Sequence, residues 1–363
     1  AGPTGGEILA TASAGPDDAR VRAYLAGFAR DFVARSRASR SQRETYGGVL
    51  ADSRASAGFR RQTKRMLYPI VGVSGKGGRM RDADGNEYVD ITMGFGVQLF
   101  GHHPPFVVEA LRHQLEANGL YLGPQAPLAG EVAAAIGRIT GNERVLFCNS
   151  GTEAVMTALR LARHVSGRSK VAMFAGSYHG HFDGTLGRSA VEGTLPSAGG
   201  VLPGMVADLV VLDYGDPEES LRSLQKLGPD LAAVIVEPVQ SRNPGLQPRD
   251  FLRQLRELTR HLGAALIFDE VLLGFRVALG GAQAWAEISA DIVTYGKIVG
   301  GGLPIGVVAG DARYLDAIDG GTWSFEGPGG PEVERTFFAG TFNKNPLTMA
   351  AAKAVLSHLE AAG

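Results

Sequence analysis

Asp291–Lys297 (DIVTYGK) is an apolar run that ends in a lysine, and glycines follow it at Gly300–Gly302. A buried lysine is costly, so one at the end of such a run, where glycines let a bulky group approach the backbone, points to a desolvated amine. Desolvation draws an amine's pKa toward neutrality and frees its lone pair for nucleophilic attack or imine formation. A lysine that snorkels to solvent is the plain alternative. Ile267–Val271 (IFDEV) ends a second apolar run in Asp269 and Glu270. Neighbours on a strand face opposite ways, so the two acids serve different purposes. One of them can bind a metal, act as a base or pair with a cationic ring nitrogen; a helix cap or a salt bridge is the alternative. Asn149–Ala154 (NSGTEA) precedes a helical pattern with Val155, Ala158, Leu159 and Ala162 on one face. A helix N-terminus with a glycine turn suits phosphate, and Ser150 and Thr152 can add hydroxyls, although all three polar residues are also ordinary N-caps.

Taken together, a phosphate turn, a carboxylate for a pyridinium nitrogen and an imine-forming lysine are the parts that pyridoxal 5'-phosphate (PLP) chemistry needs. Lys297 would hold the cofactor at rest and later serve as the base that moves the substrate proton. Ser177–Gly184 (SYHGHFDG) offers Tyr178 as a ring to stack on a flat cofactor. His179, His181 and Asp183 also allow a metal reading, a weak one because catalytic zinc usually takes three well-placed protein ligands.

Side chains in these stretches can meet only if strands bring them together. Val145–Cys148, Val171–Phe174, Leu209–Leu212, Ala233–Val236, Ala265–Phe268 and Ile292–Tyr295 are short apolar runs separated by helical stretches. That alternation predicts a mainly parallel sheet covered on both faces, with ligands at the carboxyl ends of its strands. Upstream, Asp18–Arg37 has helical spacing, Ser39–Gln62 reads as a solvated connector, and Arg79–Ile91 reads as a hairpin turning at Asp84-Gly85. The Gly/Ala/Pro-rich opening, Ala1–Asp17, reads as linker. The first methionine is Met66, which suits a piece excised from a longer polypeptide.

The 363 residues suggest two domains, and 36 basic against 37 acidic residues give no field that favours nucleic acid or an anionic membrane. The single cysteine, Cys148, excludes an intrachain disulfide and fits a cytoplasmic setting. No apolar run reaches the ~18–20 residues of a membrane span.

NSGTEA, SYHGHFDG, EPVQ (237–240), FDEV (268–271), GKIVGGGLPIG (296–306) and GTFNKNPL (340–347) together resemble the class III aminotransferases, nearest to glutamate-1-semialdehyde aminomutase. The resemblance implies an α/β fold of the PLP-dependent transferase, aspartate aminotransferase-like kind. A seven-stranded, mainly parallel sheet would form the large domain, beside a small α+β domain incomplete in this chain. The implied division is 1–64 for an N-terminal linker and helical segment and 65–104 for the first part of the small domain. Residues 105–330 would be the PLP-binding domain and 331–363 the GTF loop with the start of the C-terminal small domain. Lys297 would carry the cofactor and Asp269 would meet its ring nitrogen. Tyr178 and Val271 would lie on opposite ring faces, Ser150, Gly151 and Thr152 at the phosphate, and Glu237 and His179 nearby. Thr341 would reach the phosphate in a partner subunit of a homodimer with shared sites.

RSRASR (35–40), YGGVLADSRASAGFR (46–60), MLYPIVG (66–72) and TMGFGVQLFGHHPPF (92–106) are similar to aminotransferase domains embedded in polyketide and non-ribosomal peptide synthases. That likeness implies amino transfer from a free amino acid to a keto or aldehyde group on a carrier protein. Arg242 is a candidate for a substrate carboxylate or carrier phosphate, against a plain surface salt bridge. A free-standing aminomutase or small-molecule transaminase is the alternative enzyme, and a non-catalytic docking domain the alternative of another class. A racemase or decarboxylase shares the same fold.

Overall fold

The computed structural model describes residues 19–362, so the expected linker Ala1–Asp17 lies outside the described residues. The chain forms two compact units, one holding the described residues up to Met93 with Phe100–His103, the other Gly94–Leu99 with the residues from Pro104 onward.

The first unit opens with helices α1 (Ala19–Arg35) and α2 (Arg37–Tyr46), followed by a three-stranded antiparallel sheet of β1 (Gly72–Lys76), β2 (Arg79–Asp82) and β3 (Glu87–Val89). β2 and β3 are the expected hairpin. Helix α2 replaces the first part of the expected connector, and its cause is tertiary. Asp84, in the hairpin turn, accepts the Ala38 N–H at 2.9 Å and the Ser39 N–H at 3.4 Å, capping α2 from a distant part of the chain. Asn86 of the same turn donates to the Arg35 carbonyl at 2.6 Å, closing the end of α1. A cap contributes about 1 kcal/mol, enough to fix a short polar helix that local sequence leaves open.

In the second unit α3 (Pro105–His113) and α4 (Pro127–Thr140) lead to β4 (Arg144–Cys148), α5 (Gly151–Ser166) and β5 (Lys170–Phe174). A two-stranded ribbon, β6 (Gly187–Ser189) and β7 (Thr194–Pro196), precedes β8 (Leu209–Leu212), α6 (Pro217–Leu227), β9 (Leu231–Val236) and α7 (Arg249–Leu262). Then come β10 (Ala265–Asp269), α8 (Gly281–Ala286), β11 (Ile292–Gly296), β12 (Gly306–Gly310), α9 (Ala312–Asp319) and α10 (Pro346–Ala362). Seven strands form one sheet in the order β4-β12-β11-β10-β9-β5-β8. The pairs β11–β10, β10–β9, β9–β5 and β5–β8 are parallel, whereas β12 runs antiparallel to both β11 and β4.

The fold is therefore the expected α/β class, with each of the six apolar runs in place and β12 added between β4 and β11. The strand β12 (GVVAG) follows the glycine run and has few side chains to show a period. Every residue of β9, β10 and β11 is buried, as strands covered on both faces require. Each fully buried Leu, Ile or Val contributes about 1.5–3 kcal/mol. The expected face of α5 is the buried one: Val155, Ala158, Leu159 and Ala162 pack into the core under the sheet. No helix among the described residues is long and apolar enough to cross a membrane.

Candidate active site

The carboxyl ends of β4, β5, β9, β10 and β11 carry NSGT, AGSYHG, EPVQ, DEV and GK, so the sheet collects the motifs at one edge. Register then sets individual contacts. Asp269 pairs with Thr294 across β10 and β11, and the Thr294 hydroxyl donates to Asp269 Oδ1 at 3.1 Å. The Val271 N–H donates to the same oxygen at 3.1 Å, and His179 Nδ1 lies 2.7 Å from Oδ2. Asp269 and His179 are both buried, and His179 Nε2 has no partner among the described residues. A proton on Nδ1 is what lets the ring donate to Asp269 Oδ2.

Glu270, the next residue, turns away and is fully buried. It accepts N–H bonds from Ala282 at 2.6 Å and Gln283 at 3.2 Å, holding the start of α8. The two adjacent acids thus have the separate purposes expected of strand neighbours. Burial raises the Glu270 carboxyl above its usual range while these two donors oppose the rise.

Lys297 follows β11 directly, has φ +46 and is partly buried. It forms no ion pair among the described residues. Burial pulls its amine below the usual lysine value, Asp269 and Glu237 pull it back, and the charge of Arg276 adds to the depression. Glycines set how tightly the surrounding turns close. Gly306 lies in register with both Gly296 and Cys148, and a Cβ there would strike the Ser150 carbonyl, so the turn at Ser150–Thr152 rests on the strand beside Lys297. A Cβ on Gly151 would lie 2.8 Å from Val271 Cγ1, and one on Gly296 would lie 3.3 Å from the same atom. Val271 therefore sits between the start of α5 and the residue before Lys297.

Ser150 is the N-cap of α5, its hydroxyl accepting the Glu153 N–H at 3.2 Å, so the plain cap reading holds for that side chain. Thr152 Oγ1 lies 3.3 Å from His181 Nδ1. With His179 on Asp269 and His181 on Thr152, the two histidines face different partners, and no metal-binding cluster occurs among the described residues. Glu237 is buried and accepts the Tyr178 N–H at 3.0 Å and the Ser241 N–H at 3.3 Å, clasping two loops. Tyr178 is half exposed, and the Arg242 guanidinium lies 6.0 Å from its ring centroid. Arg242 is exposed and forms no salt bridge among the described residues, contrary to the plain alternative for it.

These contacts join ten of the eleven expected residues at one strand edge, with Arg242 at its outer rim. Thr341 is elsewhere: it is exposed and lines a separate cleft with Tyr121, Gln125 and Lys344. Several members had no assigned role in the sequence. Thr294 was one polar residue in an apolar run. Gln240 donates to the Ala175 carbonyl at 2.8 Å and to Ser177 Oγ at 2.9 Å, bracing the loop that carries Tyr178. Arg276 gave no signal beyond its place after the DEV stretch.

A buried carboxylate, a nearby amine with no counter-ion and a helix N-terminus braced beside both are what PLP requires: a partner for the ring nitrogen, an anchor for the aldehyde and donors for the phosphate. The residues present fit that cofactor.

A family profile described as "Aminotransferase class-III" matches residues 59–363. The chain is 43% identical over 294 residues to a glutamate-1-semialdehyde 2,1-aminomutase of Thermomicrobium roseum, covering 79% of this chain and 65% of that one. It is 40% identical over 300 residues to a glutamate-1-semialdehyde 2,1-aminomutase 2 of Lysinibacillus sphaericus, covering 81% and 66%. The chain thus spans about two thirds of the length of these curated relatives. Among solved structures, it is similar to an omega-transaminase from Sphaerobacter thermophilus with a TM-score of 0.78 at 31% identity, over 89% of this chain and 73% of that one. A glutamate-1-semialdehyde aminomutase from Pseudomonas aeruginosa PAO1 gives a TM-score of 0.75 at 26% identity, over 94% and 74%.

Proposed function

Because the chain belongs to the class III aminotransferases, a PLP-dependent family, we propose that it transfers an amino group to or within a small carbonyl compound, in the manner of glutamate-1-semialdehyde aminomutase. The observation that carries this reading is the unpaired amine of Lys297 beside the buried Asp269–His179 pair. Bound PLP supplies an electron sink for the substrate's Cα. Asp269 keeps the ring nitrogen charged, and His179 fixes the carboxylate's orientation. The N–H groups of Gly151 and Thr152 would receive the phosphate, with Ser150 shaping the turn, while Val271 and Tyr178 would hold the ring. Glu237 holds Tyr178 in place. Lys297 would hold the cofactor and is the base that would move the proton at the substrate's Cα.

The expectation of a carrier-bound acceptor inside a polyketide or non-ribosomal peptide synthase is the narrower reading, and the relatives favour the small-molecule one: those with 43% and 40% identity carry the aminomutase name. We also propose a homodimer in which Thr341 serves the partner's site, and a free amino acid as donor. The deciding experiment offers the PLP-loaded protein glutamate-1-semialdehyde and, separately, a carrier-tethered ketone with an amino acid donor, with products read by mass spectrometry. Conversion of the semialdehyde that Lys297→Ala abolishes supports the proposal. Conversion of the tethered ketone alone returns the synthase reading, and conversion of neither, with no cofactor absorbance, ends both.

A further inference from the structure

Arg160, Arg163 and His164 stand three and four residues apart on α5, so their side chains leave the helix on one side. With Met156, one turn earlier, and Phe182 they line a cavity of about 380 Å³. Each basic group is held by a carbonyl and not by an acid. Arg160 Nη1 donates to the Phe337 carbonyl at 3.0 Å, Arg163 Nε donates to the Ser169 carbonyl at 2.8 Å, and His164 Nε2 lies 3.0 Å from the Glu334 carbonyl. None of the three forms an ion pair among the described residues. Burial pulls the Arg163 guanidinium below its usual value, and the charge of Asp208 opposes the fall.

A helix C-terminus favours basic residues in its last turn, which accounts for Arg163 and His164. It does not account for Arg160, a turn earlier, or for the apolar wall beside them. That wall is fixed in place. A Cβ on Gly184 would lie 2.5 Å from Phe182 Cε1, so glycine lets the ring lie close against the backbone there. The Thr185 N–H and hydroxyl both donate to the Phe182 carbonyl, at 2.9 and 2.8 Å, and the Phe182 side chain packs against the core. The cavity is also not the turn at Ser150–Thr152. Arg160 and Arg163 follow Thr152 by eight and eleven residues, about 12 and 16 Å along a straight helix.

We propose that this cavity is an anion site separate from the cofactor's, and that it binds a small phosphate monoester with a compact apolar body. A phosphate dianion matches the charge of two guanidiniums whose remaining donors have no partner among the described residues. Its oxygens accept from a guanidinium edge as a fork, a geometry that a lysine does not offer. The carbonyl partners orient both arginines without cancelling their charge, so little ordering is left to be done on binding. Met156 and Phe182 give the body of the ligand its apolar surface.

The test is calorimetry on PLP-loaded protein freed of unbound PLP, so that the cofactor's own phosphate position is filled, at constant ionic strength. Phenyl phosphate should bind about tenfold or more tightly than benzoate, which keeps the ring but carries a single charge. It should also bind more tightly than inorganic phosphate, which lacks the ring. In the double variant R160Q/R163Q its dissociation constant should rise roughly 10- to 100-fold, as for loss of hydrogen bonds to a charged group, with the cofactor absorbance unchanged. F182A should remove most of the advantage of phenyl phosphate over inorganic phosphate. A second readout needs no variant: phenyl phosphate should protect Arg160 and Arg163 from phenylglyoxal, read by peptide mass spectrometry, and leave labelling of the exposed Arg112 unchanged. No binding by the wild type, an affinity retained in R160Q/R163Q, or labelling that phenyl phosphate does not slow would overturn the proposal. So would a failure of Arg160 and Arg163 to label in the free protein, because another surface then covers the cavity. Loss of cofactor absorbance on adding phenyl phosphate would assign the binding to the turn at Ser150–Thr152 instead.

Discussion

The strand edge at Lys297 and the cleft at Thr341 belong to the same unit but are built in opposite ways. At the strand edge, most polar groups find partners inside the chain, His179 Nε2 and the Lys297 amine excepted: Asp269 takes three hydrogen bonds, Glu237 two, and Ser150 caps its own helix. The cleft, of about 500 Å³, has Thr341 exposed, Lys344 Nζ only 3.4 Å from Gln125 Oε1, and Asn343 with a buried Oδ1 that meets no partner among the described residues. Sheet register determines the first site, because paired strands leave each side chain one direction to face. No such register reaches the loop that carries Thr341. Residues of one motif set can therefore differ in kind: some complete a site within their own chain, whereas others make sense only opposite another surface.

The sharpest break would come from Lys297→Ala. Single-turnover amino transfer should fall by ~10²–10⁴-fold, the range for loss of a positioned acid–base group, and the absorbance of covalently held PLP should vanish. Activity surviving within tenfold would show that the strand edge is not where chemistry occurs. Asp269→Asn comes next. Loss of one member of a buried charged pair costs about 2–5 kcal/mol, so PLP should dissociate at least tenfold more readily, as equilibrium titration would show. His179→Asn should weaken PLP less, because Thr294 and the Val271 N–H still hold the carboxylate. An equal loss would make His179 a direct contact and not a positioning residue.

Thr341→Ala tests the other side of the contrast. If Thr341 serves a partner, its loss should weaken PLP by about one charged hydrogen bond, ~1.5–3 kcal/mol. Mixed dimers of Thr341→Ala and Lys297→Ala subunits should then regain about half of the wild-type activity, because one site of each pair is intact. Mixed dimers that stay inactive would place Thr341 with its own subunit, and the contrast between the two regions would dissolve.

Legibility in the sequence follows the same division. Lys297 and Asp269 stood out because a charge that ends an apolar run has few structural excuses, and parallel strands deliver such ends to one edge. The six short apolar runs are visible for the same reason. What stayed hidden depends on contacts distant in sequence. Helix α2 is polar and short, and its cap, Asp84, lies in the hairpin turn. Arg276 looks like any surface arginine until Gly96, far upstream, is seen to hold it. Ser150 suits both a phosphate and an N-cap by type, and local geometry shows the cap: its hydroxyl accepts the Glu153 N–H, which leaves the O–H free to donate. Thr341 was read from its motif alone, and nothing in the fold of one chain positions it.

The smallest expected effect concerns stability, and it follows from burial of the Lys297 amine. In cofactor-free protein that amine has a folded pKa below the usual 10.5, with desolvation the largest cause. Below the depressed value both folded and unfolded chains hold the proton, so the fold carries the whole penalty of a desolvated cation. Between that value and 10.5 the unfolded chain binds more protons than the folded one, and stability rises with pH. Above 10.5 neither is protonated and the penalty is gone. Lys297→Met removes the titrating group while keeping most of the side-chain volume. The variant should therefore melt above the wild type at neutral pH, and the gap should close as pH approaches 10. Thermal melts of both apo proteins from pH 7 to 10 read this directly. A gap that is constant over that range would mean the lysine is hydrated in the empty fold. The strand edge would then be less dry than its register implies, and the distinction drawn between it and the open cleft at Thr341 would weaken accordingly.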